Sequence, residues 1–182
     1  MTDSENDKSK ILLVDDEPNV LRSLSRILRE YNVTMAENGE QGLTLAGQQA
    51  FDLVISDYRM PGMDGIAFLS EFMRIQPDAI RMILTGYADL ESAQVAINEV
   101  EVFRFINKPW NNVEIISAVK NGLEHKHILL ENQRLADQVR RQQKQLTEQE
   151  RILKTLEEEE PGITKVNWNK DGAIEINEED YL

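Results

Sequence analysis

Five short apolar runs, each followed by a stretch of helical periodicity, constrain the fold of this chain more than any other feature. The runs are Lys10 to Val14, Asn32 to Ala36, Phe51 to Ser56, Arg81 to Thr85 and Val102 to Ile106. Four of them are rich in Ile, Leu, Val and Phe without strict alternation, as expected of strands covered on both faces. The first helical stretch opens at Asp16-Glu17-Pro18, where proline suits the first turn, and repeats Val20, Leu21, Leu24, Ile27 and Leu28. The third opens at Asp64-Gly65, with Asp64 a natural N-cap, and repeats Ile66, Phe68, Leu69, Phe72 and Met73. Strand then helix, five times over, predicts an α/β domain with a doubly wound parallel sheet.

The chain has 182 residues, enough for one domain of about 100 to 150 residues and an extension. It contains no cysteine, which excludes disulfides and thiolate metal sites and fits a reducing compartment. Met1 to Lys10 is polar and acidic rather than signal-like, and no apolar stretch approaches a membrane span, so a cytoplasmic location is expected. A formal net charge of −13 argues against broad attachment to nucleic acid, whose phosphates such a surface repels.

Beyond Asn111 the helical period continues through Ile115, Ile116, Val119 and Leu123 and runs on to about Glu160, a helix roughly 70 Å long at 1.5 Å per residue. From Ile128 the spacing alternates four and three through Asn132, Leu135, Val139, Gln142, Leu146, Gln149, Leu153 and Leu156. That is a coiled-coil seam with three polar interruptions, and it predicts a homodimer. Asn132 falls at an a position, where a buried asparagine fixes a parallel pair in register. Pro161-Gly162 stops the helix, and Asn169-Lys170-Asp171-Gly172 between Ile163 to Trp168 and Ala173 to Asn177 predicts a small hairpin. The expected organisation is therefore a disordered acidic arm at 1–9, an α/β domain at 10–123, a coiled-coil extension at 124–160 and an acidic tail at 161–182.

If the five runs are parallel neighbours, their C-terminal ends share one edge. That edge would then carry Asp15 and Asp16 after the first strand, Asp57 at the end of the third, Thr85 at the end of the fourth and Lys108 after the fifth. Two like charges about 4 Å apart repel by roughly 4 kcal/mol at an effective dielectric of 20, so three clustered carboxylates demand compensation. A divalent cation and Lys108 supply it, and hard oxygen donors without histidine or cysteine favour Mg²⁺. The Asp57 carboxylate is then placed to attack a phosphoryl group in line, with Thr85 able to hydrogen-bond a phosphoryl oxygen once it arrives. Taken singly each residue has a plainer use: Asp15-Asp16 as helix caps, Asp57 and Lys108-Pro109 as turn formers. Their joint placement on one edge is what speaks for chemistry.

Four motifs carry a resemblance to a known family. They are Ile11-Leu12-Leu13-Val14-Asp15-Asp16-Glu17-Pro18, Ser56-Asp57-Tyr58-Arg59-Met60-Pro61-Gly62-Met63-Asp64-Gly65, Leu84-Thr85-Gly86-Tyr87 and Phe105-Ile106-Asn107-Lys108-Pro109-Trp110. Residues 10 to about 125 resemble a receiver domain of two-component response regulators. The resemblance implies a flavodoxin-like sheet of order 2-1-3-4-5 and Asp57 as phosphoacceptor. It implies Asp15, Asp16, Asp57 and the backbone carbonyl of Arg59 as Mg²⁺ ligands, and Thr85 with Phe105 as a switch pair. Lys108 would contact the phosphoryl group, ahead of a cis Pro109. It also implies a sensor histidine kinase or phosphotransfer protein as partner. Phe105 stands where many relatives carry tyrosine, so the ring lacks a hydroxyl.

Other functions fit less well. A phosphohydrolase of the haloacid-dehalogenase type wants a second acid two residues after its nucleophile, where this chain has Arg59. A DNA-binding regulator needs a recognition-helix pattern, which is not seen after Leu123, and Arg140-Arg141-Lys144 reads as a solvated coiled-coil face. His125 and His127 lie on a linker pattern rather than in a phosphotransfer bundle. The expectation is a regulator that is not itself an enzyme and signals through the coiled coil and tail to a protein target. The alternative is a phosphate sink or intermediate relay.

Overall fold

The computed structural model describes residues 8–86 and 100–159. The helix expected between the fourth and fifth strands and the hairpin expected in the tail lie outside the described residues, as does most of the N-terminal arm. The chain divides into two compact units, Met1–Leu130 and Glu131–Leu182.

In the first unit the order is β1 (Lys10–Val14), α1 (Pro18–Ile27), β2 (Asn32–Ala36), α2 (Gly39–Gln48), β3 (Leu53–Asp57), α3 (Gly65–Ile75), β4 (Ile80–Thr85) and β5 (Arg104–Asn107). The strands form one parallel sheet in the order β2-β1-β3-β4-β5, the flavodoxin-like arrangement. Successive residues of β1 point to opposite faces, as a strand requires. Ile11 and Leu13 join α1 and the final helix on one side, while Leu12 and Val14 join α2 and α3 on the other. Burial on both faces explains why these strands read as continuous apolar runs.

Local sequence sets the helix starts. Pro18 occupies the first turn of α1, and the Asp64 carboxylate accepts the Ala67 N–H at 2.8 Å to cap α3. The Asn38 side chain caps α2 in the same way through Gln41 N–H. Three strand starts are displaced from expectation, that of β4 by one residue to Ile80 rather than Arg81. β3 begins at Leu53 rather than Phe51, whose N–H is taken by the Gln76 side chain at 2.7 Å. β5 begins at Arg104 rather than Val102.

The last helix, α4 (Asn112–Glu159), is 48 residues long and confirms the expected continuous helix. Gly122 interrupts nothing because it is a contact point: a Cβ there would lie 2.7 Å from Met82 Cε and 3.0 Å from Ile80 Cγ2. The helix backbone thus lies flush on the sheet. Packing of the first unit continues past the boundary expected at 123. Lys126 Nζ donates to Asp52 Oδ1 at 2.7 Å, and the His125 ring sits 5.3 Å from that of Phe103. In the second unit the helix carries its charges in i,i+3 pairs, Arg134–Glu131, Arg140–Asp137 and Arg151–Glu148, while Leu135, Val139, Leu146, Leu153 and Leu156 stay exposed. No helix among the described residues is long and apolar enough to cross a membrane.

Candidate functional site

The parallel register brings the strand ends flush. Val14 pairs with Ala36 and Ser56, Asp57 with Leu84, and Thr85 with Asn107. Asp15 follows β1 directly, Asp57 is the last residue of β3 and Lys108 follows β5, so all three leave the sheet at the same edge. In open α/β sheets this carboxyl edge is where ligands bind.

Lys108 is the centre of the arrangement. Its ammonium lies 2.7 Å from Asp57 Oδ1 and 3.0 Å from Asp15 Oδ2, although the three residues are far apart in sequence. Carboxylate oxygens of Asp15, Asp16 and Asp57 lie within 4.8 Å of one another, with Asp15 and Asp57 buried and Asp16 exposed. Asp15 serves two purposes. Its Oδ1 accepts the Glu17 N–H at 2.8 Å and shapes the turn into α1, while its Oδ2 faces Lys108. Helix entry and site building are therefore not alternatives for this residue.

Three carboxylates face one ammonium. Burial pushes the Asp57 carboxyl above its ordinary range; the hydrogen bond and charge of Lys108 offset this only in part, and Asp15 adds repulsion. For Lys108, burial alone would pull the ammonium down, but the hydrogen bonds and charges of Asp57 and Asp15 outweigh it and hold the group above its ordinary value. Lys108 is thus firmly charged, whereas the anionic form of Asp57 is disfavoured by its burial. The donor set is hard oxygen throughout, which fits Mg²⁺ better than a softer metal. The three carboxylates would hold the ion, with the Arg59 carbonyl on the loop after β3 as a further oxygen.

The switch residues predicted from sequence share a face. Thr85 and Ile83 are two apart on β4, and Ile83 is in register with Phe105. Thr85 is buried with its hydroxyl donating to Gly86 O at 3.1 Å, and Phe105 is half-buried against the α2–α3 side of the core. The Lys108-Pro109 peptide bond is cis, as the sequence resemblance implied. Lys108 N–H donates to Thr85 O at 2.8 Å, which ties the loop after β5 to the end of β4.

One positional requirement was not recognised from sequence. A Cβ at Gly65 would lie 2.1 Å from the Asp57 carbonyl oxygen, so the loop from Tyr58 closes onto the end of β3 only with glycine there. Gly65 N–H also donates to Tyr58 O at 2.9 Å. The Asp64-Gly65 pair was visible as a helix start, but its contact with Asp57 was not. Gly62, with φ +80°, provides the preceding turn.

The comparisons with known proteins agree with this geometry. The transcriptional regulatory protein GlrR of Escherichia coli K12 is 39% identical over 116 residues, which cover 63% of this chain and 26% of GlrR. The chain thus matches about a quarter of the length of the curated relatives it resembles. Among solved structures, the adenylate cyclase from Rhodopirellula baltica is 33% identical with a TM-score of 0.67, covering 71% of this chain and 98% of that one. The signal receiver domain of an HD domain-containing protein from Pseudomonas fluorescens Pf-5 is 36% identical with a TM-score of 0.64, covering 68% and 93%. Residues 11–120, a range that includes the whole carboxylate edge, match the response regulator receiver domain model, and the chain belongs to the response regulator receiver family.

Proposed function

We propose that Asp57 is the phosphoacceptor of a two-component regulator, and that this chain passes the signal on through its helix to a protein target. The observation that carries the reading is Lys108 bridging Asp57 and Asp15 within a cluster of three carboxylates at the sheet's carboxyl edge.

In this reading an Asp57 carboxylate oxygen attacks the phosphorus of a phosphohistidine on a sensor kinase or phosphotransfer protein. The new O–P bond forms as the donor's P–N bond breaks, and the imidazole keeps the electron pair and takes up a proton. Bound Mg²⁺ supplies charge neutralisation for the transferred oxygens. Asp15 and Asp16 would hold the ion, and the Lys108 ammonium, already within 3 Å of Asp57, turns to a phosphoryl oxygen. The Thr85 hydroxyl exchanges the Gly86 carbonyl for another phosphoryl oxygen, and Phe105 on the same face repacks into the space left behind. The apolar stripe of the second unit is the output element, a homodimeric coiled coil with the tail contributing to target binding.

Incubation with acetyl phosphate and Mg²⁺ should retard the protein on a phosphate-affinity gel, and Asp57→Asn should abolish the shift. A shift that survives in Asp57→Asn would place the phosphoacceptor elsewhere.

A further inference from the structure

The polar residues of the seam carry information about the partner. From Asn132 to Leu156 the seam positions alternate a and d: Asn132, Val139, Leu146 and Leu153 at a, with Leu135, Gln142, Gln149 and Leu156 at d. The aliphatic members are exposed, up to 58% for Leu146, so the stripe faces no described part of its own chain.

Partner choice in coiled coils ordinarily rests on opposite charges at the flanking e and g positions. Here the flanks hold no lysine or arginine: Glu131, Gln138, Gln145, Ile152 and Glu159 at g, and Ala136, Gln143, Glu150 and Glu157 at e. Arg134, Arg140 and Arg151 lie off the flanks and are paired along their own helix. Between two parallel copies the flanking g–e contacts are Glu131–Ala136, Gln138–Gln143, Gln145–Glu150 and Ile152–Glu157, which pair neither opposite nor like charges, so selection between alignments of two copies falls to the amides within the seam.

Resting on the coiled-coil reading above, we infer that the occupant of this face is a second copy of the chain, parallel and in register, selected by three matched amide layers. In that alignment Asn132 meets Asn132, Gln142 meets Gln142 and Gln149 meets Gln149 of the other copy, so each side-chain amide faces another that can donate and accept. Every remaining layer is aliphatic against aliphatic. The antiparallel alignment with full overlap sets Asn132 against Leu156, Val139 against Gln149 and Gln142 against Leu146, leaving each amide opposite a hydrocarbon, and it opposes Glu131 to Glu159 on the flank. Sliding that alignment by one heptad pairs Asn132 with Gln149, but still sets Val139 against Gln142 at its centre and carries Leu156 past the seam. Only the parallel pair satisfies all three amides.

The chain has no cysteine, so single cysteines report the geometry directly. Full-length Leu153→Cys should oxidise to a disulfide-linked dimer, because equivalent a positions approach within disulfide reach in a parallel pair. In either antiparallel alignment the two residues lie at least about 27 Å apart at 1.5 Å per residue. Arg140→Cys, off the seam, should give no such product. An equal mixture of Leu135→Cys and Leu153→Cys should yield only homodimers. A dominant mixed product overturns the parallel assignment while leaving a coiled coil in place. Light scattering on the unmodified chain separates the two failures: a monomer at all concentrations sinks the coiled-coil reading itself. In the Leu153→Cys background, adding Asn132→Leu, Gln142→Leu and Gln149→Leu should cut the yield of cross-linked dimer by half or more, as other alignments become equally good. An unchanged yield would show that the amides do not select the alignment.

Discussion

Lysine meets aspartate at both ends of the same sheet, and the two meetings have opposite consequences. At the amino edge, Lys126 Nζ lies 2.7 Å from Asp52 Oδ1, and the other carboxylate oxygen of Asp52 accepts the Lys10 N–H at 2.8 Å. There one carboxylate has the charges of two lysines, Lys126 in direct contact and Lys10 nearby, and one backbone donor. Burial pulls Asp52 upward, but the hydrogen bonds and charges of Lys126 and Lys10 outweigh it and hold the carboxyl below its ordinary range. At the carboxyl edge Lys108 has an equally short contact, yet it is shared among carboxylates, and Asp57 is held above the ordinary range. Equal contact distances do not make equal sites: burial dominates at Asp57, where Asp15 adds repulsion, whereas at Asp52 the hydrogen bonds and charges of Lys126 and Lys10 outweigh it. An excess of carboxylate over nearby ammonium is the arrangement that a bound cation would relieve.

The contrast can be broken in several ways. The largest effect belongs to Asp57→Asn, which should remove all acetyl-phosphate-dependent modification, while Asp52→Asn should leave its rate unchanged; phosphate-affinity gels of the two variants side by side test this. Gly65→Ala should be next, because its Cβ must displace backbone at the end of β3: a stability loss of about 3 kcal/mol in urea unfolding is expected, as for overpacking in a rigid place. A loss near zero would mean that the loop after β3 relaxes freely. Lys108→Ala should slow phosphorylation on the order of tenfold or more by removing charge from the transferred group, with a smaller change in Mg²⁺ affinity followed by Trp110 fluorescence. The reverse ordering would make Lys108 a metal-site residue rather than a phosphoryl contact.

The smallest effect should be that of Asp52→Asn on stability, about 1 kcal/mol at neutral pH for a pair that is partly solvent-exposed. Its pH dependence has a definite sign. Since the folded state holds Asp52 below its unfolded value, the ionised carboxylate stabilises the fold above the ordinary aspartate range, and that contribution is lost as pH falls through the lowered folded value. The difference between wild type and Asp52→Asn should therefore be full at neutral pH and shrink towards zero in acid. A difference that grew in acid would reverse the sign assigned to this pair.

The residues of the carboxyl edge were legible beforehand because each sits where an apolar run ends. Asp15, Asp57, Thr85 and Lys108 are marked by position relative to a strand, and parallel strands in register convert that shared position into proximity. Nothing comparable marks the amino edge. Lys126 lies in the middle of a helix, 74 residues from Asp52, and its sequence surroundings look like any solvated turn. Arg81 was equally opaque. It reads as a polar residue at a strand start, yet its guanidinium is buried and donates to the carbonyls of Val100, Pro77 and Ala79 while pairing with Glu101, whose φ is +46°. Gln76, just after α3, likewise joins Ala46 in α2 with Gln49 and Phe51 in the loop that follows it. Such clamps satisfy backbone groups left over by loops, and which groups are left over depends on how the loops close.

By itself the sequence determined the alternation of strands and helices, the helix cap at Asp64, the continuity of α4 and the set of residues gathered at the carboxyl edge. These follow from short-range periodicity and local hydrogen bonding, which act within a few residues. The tertiary structure alone decided that Asp15 both shapes a turn and faces Lys108, that Gly65 must lack a side chain, and that Lys126 and Lys10 hold Asp52 below its ordinary range while burial holds Asp57 above it. Those outcomes depend on distances between segments remote in the chain, and on burial, which sets the strength of every charge and is a property of the packed whole.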